Sequence, residues 1–268
     1  MNSTDSTYLI CCISVSASEY FSRPMLRHFV EHYLGVGIPP QNFLLTLHST
    51  TSAMDFLPVE AYLRHFRIKS AQNFVADYDC YSFYDANYRL MKRCAPDDWV
   101  IMVDFDELIR FPKCLGEFIS DLAMGDYNLA MGEIVDRIAV GGHLIPIAES
   151  PSIWEQFPVS CRITRDIALG CDSKTCIFRG NLTPNLGHHV VVNLDDAKVF
   201  PQLLFVHHFK WDSTLPLRLA KSQRQFHSDK ERFFWHRETD LVLERIVNNK
   251  LAIDVSESKE PSIKRADP

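Results

Sequence analysis

The sequence predicts an α/β protein built on a doubly wound, mixed, mainly parallel sheet flanked by helices, with a C-terminal helical segment. Three observations lead there. Strand-like and helix-like patterns alternate through the first hundred residues; Trp99-Val100-Ile101-Met102-Val103 is a continuous apolar run of the kind buried on both faces in a parallel sheet; and strand-like runs follow residue 125 until helical spacing returns at Leu215.

The apolar run Tyr8–Val15 reads as a buried strand that empties into the polar loop Ser14–Glu19. Phe21, Met25, Phe29, Val30 and Tyr33 then recur at helical spacing, and Gly35 with Gly37 supplies a stop. Residues 42–47 form a second strand and His65–Lys69 a third, separated by a weak helix over Met54–Leu63 that Pro58 interrupts. Tyr81, Tyr84, Tyr88 and Met91 mark a helix over about 80–94, which Pro96-Asp97-Asp98 ends before the Trp99 strand. Later strand-like runs are Tyr127–Val135, Lys174–Phe178, His188–Leu194 and Leu203–Phe209, with a long loop between Arg137 and Asp172. Leu215 to about Val247 is helical, and residues 256–268 form a polar, disordered tail. Right-handed crossovers between the first strands make the doubly wound arrangement the economical one.

A chain of 268 residues suffices for one large domain, here placed over residues 1–255. Its 46% hydrophobic and 23% charged residues are ordinary for a globular protein. The net charge of −6 gives no global attraction to nucleic acid. The polar start Met1–Thr7 and the absence of an apolar run of membrane-spanning length point to a cytoplasmic protein. The eight cysteines lack a Cys-x-x-Cys pair and sit mostly in apolar runs, the usage of reduced core thiols.

The chemistry is concentrated where the Trp99 strand ends, in Asp104-Phe105-Asp106-Glu107. A buried strand running out into three carboxylates places charge at the carboxyl edge of a parallel sheet, where α/β proteins bind ligands. In extended chain Asp104 and Asp106 share one side and form a two-carboxylate clamp. Hard oxygen ligands suit Mn²⁺ or Mg²⁺, whose open positions take water or substrate phosphate.

The string Trp99–Glu107 resembles the "W-hydrophobic-D-x-D-E" signature of family-2-like glycosyltransferases of the GT-A fold. Glu19-Tyr20-Phe21 with His32-Tyr33-Leu34-Gly35-Val36 is similar to that group's opening helix, and Val206-His207-His208-Phe209-Lys210-Trp211 to its late "H-Y-x-K" segment. The opening loop differs, carrying Ser14-Val15-Ser16-Ala17-Ser18-Glu19 where the group often shows Lys-Asn-Glu or Arg-Asn-Glu. The resemblance implies a GT-A-like fold with a nucleotide-sugar-binding half at about 8–125 and an acceptor-facing half at about 126–255. It implies a nucleoside-diphosphate-sugar donor, a UDP-sugar by first choice, and a glycan, lipid-linked or other hydroxyl acceptor. A divalent metal at Asp104 and Asp106 follows, with a late histidine as a further metal or diphosphate contact.

His208 is the candidate third ligand and Lys210, two residues on, a phosphate contact. Ser14 and Glu19 border the nucleotide, because the first strand's exit loop borders the cleft in this topology. Asp136 is the first choice for a base that deprotonates the acceptor, with Arg137 orienting it or a substrate anion; Glu133, Glu155 and Asp195 stay open as alternatives. Trp154 could cover the acceptor or simply pack. The basic and aromatic residues of the last helical stretch, Arg218, Lys221, Arg224, Lys230, Arg232 and Arg237 with Phe226, Phe233, Phe234 and Trp235, fit a solvated packing helix or transient contact with an anionic membrane surface. A metal-dependent phosphoester or nucleotide hydrolase and a non-catalytic nucleotide-sugar-binding module are the rival classes.

Overall fold

The computed structural model describes residues 6–16, 21–228, 239–248, 251–256 and 258. Glu19, the basic and aromatic residues of 229–238 and nearly all of the expected tail lie outside them. The chain divides into two compact units. The first comprises residues up to Glu133 together with Ser173–Val206; the second comprises Ile134–Asp172 and the residues from His207 onward.

The first unit has the expected alternation. Strand β1 (Thr7–Ser14) leads to helix α1 (Arg23–Val36), β2 (Phe43–Ser49), α2 (Phe56–His65), β3 (Gln72–Val75), α3 (Cys80–Met91), β4 (Trp99–Met102), β5 (Glu107–Arg110) and α4 (Leu115–Met124). Strands β6 (Leu129–Ile138), β8 (Ser173–Arg179) and β9 (Leu204–His208) give this unit their residues up to Glu133, from Ser173 and up to Val206 respectively. The sheet is mixed, in the order β3-β2-β1-β4-β8-β6-β9-β5. β1 lies parallel to β2 and β4, and β2 parallel to β3, whereas β8 runs antiparallel to both β4 and β6. Ile10, Val100, Met102, Leu129 and Phe178 pack from the sheet against Leu90 and Met91 of α3.

Helix α1 begins where Ser22 caps it by accepting a bond from the Met25 N–H at 3.2 Å, and it ends at Gly37, whose φ of +105° only glycine adopts readily. Gly35 stays inside the helix. Its apolar stripe of Met25, Leu26, Phe29, Val30 and Tyr33 is buried.

Pro58 does not interrupt the second helix. It falls in the first turn of α2, where no intrahelical partner awaits its missing N–H. The expected strand at 65–69 is instead the end of that helix: Arg67 turns left-handed at φ +60°, the Ile68 N–H closes back on Leu63 O, and the strand forms later at Gln72–Val75. Likewise His188–Leu194 is not a strand, since Gly187 (φ +79°) and His188 (φ +57°) reverse the chain through short helical turns.

In the second unit the remainder of β6 pairs antiparallel with β7 (Val159–Cys161), and the residues between Arg137 and Asp172, expected as loop, include α5 (Ile153–Gln156) and a π-helical turn at Ile163–Ile167. Helices α6 (Leu215–Ser228) and α7 (Thr239–Asn248) follow. Ile138, Ile163, Trp211, Leu215, Val242 and Ile246 belong to this unit's apolar core. Among the described residues no helix is long and apolar enough to cross a membrane.

Candidate active site

The acidic segment leaves β4 as a tight turn rather than as extended chain. The Glu107 N–H donates to Asp104 O at 3.1 Å, and the chain re-enters a strand at Glu107. The expected one-sided clamp of alternating strand residues is therefore corrected: Asp104 and Asp106 occupy one β-turn, where the period of two no longer sets side-chain direction. The turn is held from inside the unit. Phe105 stacks on Phe21 at 6.0 Å and meets Phe29 at 5.7 Å, while the buried Tyr33 hydroxyl donates to Glu107 O at 3.0 Å and accepts from the Ile109 N–H at 3.3 Å.

A lysine that sequence reading passed over sits at the centre. Lys174 Nζ lies 2.7 Å from Asp104 Oδ2, 2.8 Å from Glu107 Oε1 and 3.1 Å from Gly187 O. Its side chain is 4% exposed and that of Glu107 2%, whereas the Asp104 side chain is 53% exposed. Glu107 Oε2 also accepts from the Asp104 N–H at 3.0 Å, which ties the turn's first residue to its last. Burial works against the charge on Lys174, but Asp104 and Glu107 hold its ammonium above the ordinary range. Against the desolvation of the turn, Lys174 in return holds Asp104 below the usual carboxylate range. The register explains the meeting: continuing Trp99↔Arg179 and Val100↔Phe178 places Lys174 opposite Asp104. A lone lysine at the head of the apolar strand Thr175-Cys176-Ile177-Phe178 was the available signal.

Beside this cluster, His188 is buried, and burial pushes its imidazole down to about 4 against the pull of Asp104. Its Nδ1 has no hydrogen-bond partner among the described residues. At neutral pH three carboxylates and one ammonium leave Asp104, Asp106, Glu107 and Lys174 with a formal charge of −2. That charge and the oxygen donors suit one hard divalent ion. Among the described residues no three His, Cys, Asp or Glu side chains converge as a full ligand set, so water or substrate oxygens would fill most of its shell.

At the end of β1 the Ser14 hydroxyl lies 3.0 Å from Nδ1 of the buried His48, whose Nε2 is 2.8 Å from Ala76 O. Phe74 and Phe83 surround that imidazole, each with its ring centre 4.9 Å away. Ser14 is thus engaged in the sheet's upper edge, through a histidine that sequence reading did not single out. Close by in the chain, Val15, Phe21, Arg23, Asp55, Val59 and Tyr62 line a cleft of about 210 Å³. The Arg23 guanidinium sits 4.8 Å from the Tyr62 ring centre.

The second unit holds Asp136, Arg137, His208 and Lys210. Asp136 is wholly buried. Its Oδ1 accepts from Thr164 Oγ1 at 2.8 Å and Trp211 Nε1 at 2.7 Å and lies 3.3 Å from His208 Nδ1; its Oδ2 accepts from the Thr164 N–H at 2.6 Å. Burial alone would raise its pKa, but His208 and the surrounding donors hold the carboxyl below the usual range. The carboxylate thus joins Thr164, Trp211 and His208 at one buried point. The neighbouring Arg137 donates from its guanidinium to Phe157 O, Pro158 O and Ser160 Oγ beside the Trp154 ring. Trp154 packs edge-on against His207 and Phe209, and the Lys210 ammonium lies 4.9 Å from the Trp211 ring centre.

No family model and no curated protein matches the chain. Among solved structures it is similar to S. aureus TarS at 12% identity and a TM-score of 0.39, with 81% of this chain and 39% of that one covered. It is also similar to TarS 1–349 (13% identity, TM-score 0.34, 81% of this chain and 65% of that one) and to TarS 1–349 in complex with UDP (12% identity, TM-score 0.37, 80% and 65%). The chain therefore spans about two fifths of the first of these.

Proposed function

We propose that the chain is a metal-dependent glycosyltransferase that moves a sugar from a nucleoside-diphosphate donor, a UDP-sugar by first choice, to a hydroxyl acceptor. The observation that carries this reading is the acidic turn: Asp104 and Asp106 stand at the carboxyl end of a parallel strand, on a turn that together with Lys174 has a formal charge of −2 and whose first carboxylate is open to solvent. Asp104 and Asp106 would hold Mn²⁺ or Mg²⁺. The ion, when bound, would supply Lewis-acid stabilisation of the leaving diphosphate, a contribution of several kcal/mol. The chain's own part is to keep Asp104 ionised and fixed, which the Asp104–Lys174 pair and the Glu107–Asp104 backbone bond do before any ligand arrives. Ser14, on the exit of β1, remains the described candidate for the nucleotide side of the site, and the cleft beginning at Val15 extends that edge.

The test is a thermal-shift panel of nucleoside diphosphates with and without Mn²⁺, followed by transfer assays with the donor it names. Asp104→Asn and Asp106→Asn should each abolish the metal-dependent shift and reduce transfer by at least 100-fold, roughly the loss of 3 kcal/mol of charge stabilisation. Unchanged UDP binding and turnover in both variants would remove the assigned role of the turn. Release of free sugar or phosphate without acceptor stimulation would mark the protein as a hydrolase instead.

A further inference from the structure

We propose that Lys174 is the positioning residue of the acidic turn: its buried ammonium fixes the direction of Asp104 and so sets the turn's affinity for a divalent cation. This rests on the reading of Asp104 and Asp106 as metal-holding residues.

Three contacts from one nitrogen carry the inference. Lys174 Nζ takes Asp104 Oδ2, Glu107 Oε1 and Gly187 O at 2.7, 2.8 and 3.1 Å, which uses all three N–H donors of an ammonium. Two of these partners anchor it: Glu107 is 2% exposed, and Gly187 belongs to the left-handed reversal that leads into His188. The third, Asp104, is the half-exposed carboxylate that faces solvent. An exposed aspartate on a turn ordinarily samples several rotamers, and its ordering opposes ligand binding. Here one oxygen is held from behind by a buried cation, so the carboxylate is directed before an ion is present.

The ammonium's charge and its geometry act in opposite directions on a bound cation. As a positive charge, Lys174 repels it; as a tether, it removes the cost of ordering Asp104. The balance of charge in the cluster separates the two. Lys174→Met leaves a formal −3 and should tighten cation binding if charge alone matters. The double variant K174M/E107Q removes one charge of each sign and keeps the wild-type value of −2. A glutamine at 107 can still accept the Asp104 N–H through its amide oxygen, so the turn's backbone bond is retained. It also avoids the uncompensated buried carboxylate that the single variant would create.

The experiment is Mn²⁺ titration followed by electron paramagnetic resonance on the full chain without donor, with circular dichroism and melting confirming that each variant folds. Wild-type protein should bind one Mn²⁺, and K174M/E107Q should bind it at least 10-fold more weakly despite the equal charge. Affinity in K174M/E107Q equal to wild type, or tighter binding in a folded Lys174→Met protein, overturns the positioning role while leaving the metal reading intact. Absence of Mn²⁺ binding to wild type overturns the metal reading and this proposal together. Should Lys174→Met fail to fold, the charge-balanced double variant decides the matter alone.

Discussion

Replacing Asp136 by alanine distinguishes an anchoring carboxylate from a catalytic base. The side chain is wholly buried and accepts three hydrogen bonds, from Thr164 Oγ1, the Thr164 N–H and Trp211 Nε1, at 2.6 to 2.8 Å. Thr164 is 5% exposed and Trp211 1%, so water has little access to the donors that alanine would orphan. A buried donor left without a partner costs about 1–3 kcal/mol, and removal of one partner from a buried charged network about 3–5 kcal/mol. Allowing for non-additivity, Asp136→Ala should therefore lose roughly 3–5 kcal/mol, a large share of the 5–15 kcal/mol typical of a domain. Urea unfolding monitored by tryptophan fluorescence measures it, because Trp211 is itself one of the partners. Thr164→Val, which removes one hydroxyl and keeps the backbone bond, should lose about 1 kcal/mol. Unfolding of Asp136→Ala within about 1 kcal/mol of wild type refutes the anchoring role; retained stability with abolished transfer identifies Asp136 as the base.

His188 should make stability fall between pH 7 and pH 5. Its native pKa of about 4 lies below the ordinary 6.5, so the unfolded chain takes up the proton first as pH drops; the contribution is intact above 6.5 and is lost toward 4, amounting to about 2 kcal/mol at pH 5. Denaturant melts in chelator should show that difference between wild type and His188→Asn, a residue that tolerates the left-handed φ of +57°, and parallel pH curves would contradict it. Gly142→Ala should destabilise the second unit by about 2–4 kcal/mol, since φ is +73° and a Cβ would stand 2.0 Å from Ile253 O; a melting temperature within 2 °C of wild type would count against that geometry. Arg137→Lys should weaken the segment around Trp154, because a guanidinium that serves Phe157 O, Pro158 O and Ser160 Oγ at once has donors an ammonium cannot place; limited proteolysis between 149 and 160 would report it, and an unchanged cleavage pattern would deny the role.

Periodicity made the first half of the fold legible. The apolar run at Tyr8, the stripe on α1 and the continuous strand at Trp99 each answer to local spacing, and the structure has β1, α1 and β4 there. Local signals failed where backbone reversal decided the outcome. His188–Leu194 reads as strand, but Gly187 and His188 adopt positive φ, and His65–Lys69 gives way to a helix end at Arg67. The irregular stretch 137–172 concealed β7 because three residues are too few to show a period of two.

The site divides in the same way. By itself the sequence determined that a buried strand runs out into three carboxylates, because burying charge is costly enough that such a strand should end there. What only the tertiary structure decided is which partners those carboxylates have. Lys174 reaches Asp104 across 70 positions of chain because antiparallel pairing of β8 with β4 aligns them. The same kind of long-range closure encloses Asp136 with Thr164 and Trp211, partners that lie 28 and 75 positions further along the chain. Side-chain direction and burial are set by contacts between residues distant in the chain, and no spacing rule within a single strand or helix encodes them.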